Sequence, residues 1–90
     1  MHAVVVRVTI NDFESARKML EEEVVPRVKQ APGLVAGYWT RSDDQSSGSS
    51  MIVFESEEAA RAAEAMIQQQ PPTDAVTFDS VEVREVVASA

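Results

Sequence analysis

Residues 34–55, LVAGYWTRSDDQSSGSSMIVFE, decide how this chain folds. Leu34–Arg41 is rich in β-branched and aromatic residues and reads as a strand. Met51–Glu55 reads as another, apolar on both faces. The intervening Asp43–Ser50 (DDQSSGSS) is polar throughout and reads as a mobile hairpin loop. A helical stretch lies on each outer side of this pair.

Upstream, Asn11 and Asp12 can each cap a helix. At 100° per residue, Phe13, Ala16, Leu20, Val24 and Val28 share one face of it. Glu14–Lys18 and Glu23–Arg27 are spaced as i,i+4 ion pairs. Pro26 lacks a donor and crowds the preceding turn, so a kink or a restart is expected there. Pro32-Gly33 ends the segment. Before it, Ala3–Ile10 (AVVVRVTI) is the first strand. Its near-continuous apolarity marks a central strand covered on both sides. Downstream, Ser56 caps a second helix, with Glu57 and Glu58 at its positive end. That helix runs to about Gln69, where Pro71-Pro72 stops it. The small residues of its apolar stripe (Ala59, Ala63, Met66, Ile67) let it lie close on a sheet. Val76–Val87 is the last strand.

The order is β-α-β-β-α-β. With right-handed crossovers this is a ferredoxin-like α+β sandwich, one domain over residues 1–90, with a four-stranded antiparallel sheet in the order 4-1-3-2. Both helices cover one face. If Val6, Val8, Ile52 and Phe54 point at the helices, then Val5, Met51 and Val53 point the other way. In the last strand, Val76 and Phe78 have one parity and Val81 and Val83 the other. Either a β-bulge near Asp79-Ser80 resets the phase, or the far valines face outward. An apolar open face calls for a cover, and a homodimer joined through sheet faces is the expected one.

Composition removes whole classes of function. The net charge is −7, from 8 basic and 15 acidic residues. That disfavours nucleic acid and anionic membrane surfaces as partners. Cysteine is absent and His2 is the only histidine, so thiolate chemistry, Fe–S clusters and the common zinc sites lack ligands. No metal or other cofactor is expected. No apolar run is long enough to span a membrane and no signal-like segment opens the chain, so a cytoplasmic protein is expected. The three glycines (Gly33, Gly37, Gly48) are isolated and form no phosphate-binding loop. The acidic runs Glu21–Glu23, Asp43-Asp44 and Glu57-Glu58 read as solvated surface.

Residues 24–41 (VVPRVKQAPGLVAGYWTR) and 51–66 (MIVFESEEAARAAEAM) carry a further signal. A helix ending in Pro and then Pro-Gly, a Gly-containing second strand, and a third strand running into Glu-Ser-Glu-Glu-Ala resemble the antibiotic-biosynthesis-monooxygenase-like family. The resemblance implies a dimeric α/β barrel. The family includes cofactor-free oxygenases of aromatic polyketides, quinol oxygenases, haem-degrading enzymes and signal-molecule-processing enzymes. The haem-degrading branch uses a helix-borne histidine, which the second helix here lacks.

Four residues are candidate ligand contacts. Arg7 interrupts an apolar central strand and projects to the open face. It can hold an anionic or enolate-like oxygen, or pair with Asp79, Glu82 or Glu85 of the last strand, or form an ion pair across a dimer interface. Tyr38 and Trp39 send one ring to each face. One packs under the helices, and the other lines a cavity beside Arg7 or packs at the interface. Asn11, at the end of the first strand, can polarise a carbonyl or cap the helix. No catalytic base stands out. Two readings follow: a cofactor-independent monooxygenase of small aromatic or polyketide-like molecules, and a non-catalytic ligand-binding or interaction module. A cavity of a few hundred cubic ångströms with converging polar groups separates them.

Overall fold

Strand pairing begins where the sequence is most β-branched. The structure is a computed structural model and describes residues 1–70 and 73–90. The strands are β1 (His2–Ile10), β2 (Leu34–Arg41), β3 (Ser47–Phe54) and β4 (Val76–Glu85), forming one antiparallel sheet in the order β2-β3-β1-β4. This is the expected four-stranded ferredoxin-like arrangement, with β1 and β3 in the middle. Among the described residues, no helix is long and apolar enough to cross a membrane.

The helix face carries the core. Val4 and Phe54 are 0% and 1% exposed, and Val6 and Ile52 are also buried. They meet α3 (Glu57–Gln68), which lies close because Ala60 and Ala63 face the sheet. Ser56 caps α3 by accepting from the Ala59 N–H at 3.1 Å. The expected stop at Pro71-Pro72 lies outside the described residues.

The first helical segment is built differently. Asp12, not Asn11, caps α1 (Phe13–Met19) by accepting from the Ser15 N–H. A π turn follows over Leu20–Val24, with the Val25 N–H donating to the Leu20 carbonyl five residues back. The chain then resumes as α2 (Val25–Lys29), with Pro26 in its first turn, where the missing donor costs nothing. The restart expected at Pro26 is thus achieved by a widened turn. Glu23, inside that turn, and Arg27, beyond Pro26, do not form the expected ion pair, nor do Glu14 and Lys18. Instead Arg17 bridges Glu14 and Glu21. The segment ends at Gly33, whose φ of +78° suits glycine, and whose carbonyl accepts from the Glu55 N–H at 2.8 Å. An added Cβ there would stand 3.0 Å from that of Ala59.

Two expectations about the strands are corrected. Ser47–Ser50 belong to β3 rather than to the loop, because Ser49 and Gly48 are held in register by β1 and β2 on both sides. The hairpin loop shrinks to residues 42–46. Of the two ways to reconcile β4, the bulge is observed: Arg7 pairs with Ser80 but Val8 with Phe78, leaving Asp79 as the extra residue. Val76, Phe78, Val81 and Val83 all therefore face the helices, and Asp79 accepts from the Thr9 hydroxyl at 2.8 Å.

The short hairpin loop is tied by one carboxylate. Asp44 accepts from the hydroxyls of Ser46 (2.6 Å) and Ser42 (2.7 Å) and from the Ser46 N–H. These bonds, the Ser46 hydroxyl foremost, hold its pKa down to about 2. Its contribution is complete above the unfolded carboxyl value of about 4 and is lost as pH falls through about 2. Asp44→Ala is therefore expected to melt below the parent at pH 7, with the gap closing between pH 4 and pH 2. A gap independent of pH would assign the effect to something other than the carboxylate.

Candidate functional site

The helix face of the sheet is filled over one half and hollow over the other. Toward the start of β1, large side chains (Val4, Ile52, Phe54) meet the alanines of α3. Toward its end, β3 presents Gly48 and Ser50 on the same face, while Gly37 of β2 lies beside Ile52. Nothing large rises from β3 there. The apolar stripe of the first helical segment has no fully buried residue. Between this stripe and the sheet lies a cavity of about 340 Å³, the scale of a small-molecule site.

One wall is shaped by a glycine. A Cβ on Gly37 would lie 3.1 and 3.2 Å from Cη2 and Cζ3 of Trp39. The indole can fold back along β2, toward Ile52, only because position 37 has no side chain. Phe13 and Phe78 supply further aromatic surface, and Ser50 and Gln70 are uncharged polar groups on the lining. The charged residues of the lining are Arg17, Arg27 and Arg41. Among the described residues, it contains no Asp, Glu, His, Lys or Tyr. The Arg41 guanidinium carbon sits 5.2 Å from the centroid of the Phe13 ring, a cation–π contact that steadies it at the mouth.

The four candidate residues separate. Trp39 lines the cavity. Tyr38 points to the opposite face and is 69% exposed. Arg7 is also exposed there, in register with Ser49 and Ser80. Arg7 and Trp39, expected to share a wall, do not meet at this cavity, which lies on the helix side while strand alternation sends Arg7 to the other face. The expected ion pair of Arg7 is also not made. Asp79 is held by Thr9, Glu82 by Arg84, and Arg7 makes no ion pair among the described residues. Asn11 donates to the Thr77 hydroxyl at 3.1 Å and lies outside the cavity. His2, on the helix face of β1, is half-buried, with Nδ1 shielded and without a hydrogen-bond partner.

Sequence reading missed Arg41 and Ser50. Arg41 looked like the polar end of a strand, and Ser50 like part of a loop. The available signal was parity: Trp39 and Arg41 are two apart on one strand, as are Gly48 and Ser50 on the next. Among the described residues, no three His, Asp or Glu side chains gather to hold a metal.

No protein-family model matches this chain, and no curated protein matches it. Solved structures do. SnoaB, a cofactor-independent oxygenase from Streptomyces nogalater, aligns at TM-score 0.73 and 18% identity over 98% of this chain and 94% of its own. A dimeric ferredoxin-like protein from an uncultured marine organism aligns at TM-score 0.66 and 15% identity, over 100% of this chain and 98% of its own. The monooxygenase from the gene ActVA-Orf6 of Streptomyces coelicolor, solved with nanaomycin D, aligns at TM-score 0.57 and 16% identity over 99% and 92%. The chain thus shares the ferredoxin-like fold of these structures.

Proposed function

We propose that this chain is a cytoplasmic, cofactor-independent monooxygenase of small aromatic, polyketide-like molecules, acting as a homodimer joined through sheet faces. The observation that carries the reading is the aromatic-walled cavity beneath the first helical segment. Its likeness in fold to SnoaB and to the ActVA-Orf6 monooxygenase supports the reaction class. Trp39, Phe13 and Phe78 stack a flat ring system and exclude water. Among the described residues, the lining has no side chain suited to be a general base. The substrate must then supply its own electron-rich anion. Conversion of a ring CH2 to C=O consumes one O2 and releases one H2O, so the substrate provides all the electrons and no external reductant is needed.

The dimer reading rests on the open face, where Tyr38, Met51 and Val5 lie in one row across β2, β3 and β1. Tyr38 and Met51 are largely exposed in the single chain. In this arrangement Arg7 and Tyr38 face the partner's sheet rather than the ligand.

Oxygen uptake with anthrone, a tricyclic ring ketone with an acidic ring CH2, tests the reaction. Uptake should equal product formed and persist in the presence of a chelator. Ser50→Leu fills the floor of the cavity and should abolish uptake while keeping the fold. The same absence of a base also favours the second reading, a non-catalytic ligand-binding module. Ligand binding without enhanced uptake for any such ring CH2 compound would establish that reading instead.

A further inference from the structure

We infer that the cavity selects an aromatic acid, with the ring body stacked along Trp39 and an anionic substituent, carboxylate or ionised phenol, held by Arg41. This names the ligand class of the site proposed above and rests on that cavity being the ligand site. Charge distribution carries the inference. The chain has 15 acidic residues against 8 basic ones, yet the lining includes three arginines and no carboxylate.

These arginines are not equivalent. Arg17 is neutralised by Glu14 and Glu21. Arg27 and Arg41 make no ion pair among the described residues, nor does Arg7 on the opposite face, whereas Arg61 and Arg84, away from the cavity, both do. Arg41 spends one N–H on the Ser42 carbonyl at 3.2 Å and rests over Phe13, leaving other donors of its planar fork free. Its place in the sheet supplies the geometry. Arg41 is in register with Gly48, and the next row on the same face pairs Trp39 with Ser50. Rows two residues apart are separated by about 7 Å. No side chain at position 48 stands between the guanidinium and the floor. A fused-ring body lying along Trp39 and Ser50 therefore brings a terminal carboxylate to Arg41. Arg27, on α2, adds positive potential from the other end of the helical segment. An apolar wall beside the charge strengthens the attraction over its value in water.

The test uses Trp39, the only tryptophan, as a built-in reporter. Quenching of its fluorescence gives dissociation constants for 2-naphthoate and for 2-naphthamide, a neutral probe of nearly the same shape. Naphthoate should bind about tenfold or more tightly at low salt, a preference that salt erodes. Arg41→Gln should weaken naphthoate by about that factor and leave naphthamide unchanged. Arg41→Lys should restore part of the difference, and Arg61→Gln should change neither. Equal binding of the two probes, no measurable naphthoate binding at millimolar concentration, or an unchanged preference in Arg41→Gln would each overturn the inference. Oxygen uptake is not read here, so a selective aromatic-acid binder without turnover would refute the oxygenase reading and leave this one standing.

Discussion

Met51→Glu will keep the fold and drive the chain to half the mass of the parent in sedimentation or light scattering. Met51 is 49% exposed on the open face of β3. Tyr38 and Val5 flank it in register, and Glu82 of β4 ends the row. In a two-fold interface each substitution acts twice. A carboxylate at position 51 would be taken from water against apolar side chains, with Glu82 adding like charge. The dimer dissociation constant should rise about a thousandfold or more, since an unpaired buried charge costs several kcal/mol at each copy. The single chain solvates that carboxylate freely, so its far-UV spectrum should not change. A parent chain that runs as a monomer at micromolar concentration would sink the dimer.

Phe54→Ala should be the most damaging single substitution on the other face. Phe54 is 1% exposed and packs in one cluster with Val4, Ile52 and Ala60. Truncating a buried phenylalanine costs about 3–5 kcal/mol. For a domain of this size that is a fall in Tm of roughly 15–30 °C. The contrast with Leu20→Ala is the sharper measurement. Leu20, on the π turn, is only half-buried where it borders the cavity, so its removal strips fewer contacts and should cost much less. Equal losses at the two sites would mean that the helix face is uniformly packed and the cavity is closed in solution.

The sheet could be read because its decisive residues state their own orientation. Val4, Val6, Ile52 and Phe54 fall at alternate positions of two apolar, β-branched runs, and Asp12 and Ser56 punctuate the helices. Two features escaped for physical reasons. Ser47–Ser50 have no β propensity, and β1 and β2 impose their conformation from both sides. Propensity yields there to neighbours that lie far away in sequence. The cavity escaped because it is made by side chains that are missing. An apolar stripe such as Phe13, Ala16, Leu20, Val24 and Val28 looks the same whether it meets a packed core or a space. Only the positions opposite decide, and Gly37, Gly48 and Ser50 become positions opposite only once β2 and β3 are paired. Arg7 was legible as an anomaly in an apolar strand, but its side of the sheet carried no information about which side held the ligand.

The extra residue in β4 makes this point of the strand tolerant of a change in length. Substitutions at Asp79 alter one exposed side chain and its bond to Thr9. Deleting the same residue would close the bulge, placing Phe78 next to Ser80 opposite Val8 and Arg7, with Val81 and Val83 still opposite Val6 and Val4 on the helix face. A deletion further along, at Glu82, would have no spare residue to absorb it: with the bulge kept, Val83 would slide opposite Val5 and turn to the open face. Loss of a residue is thus absorbed at the bulge and disruptive beyond it.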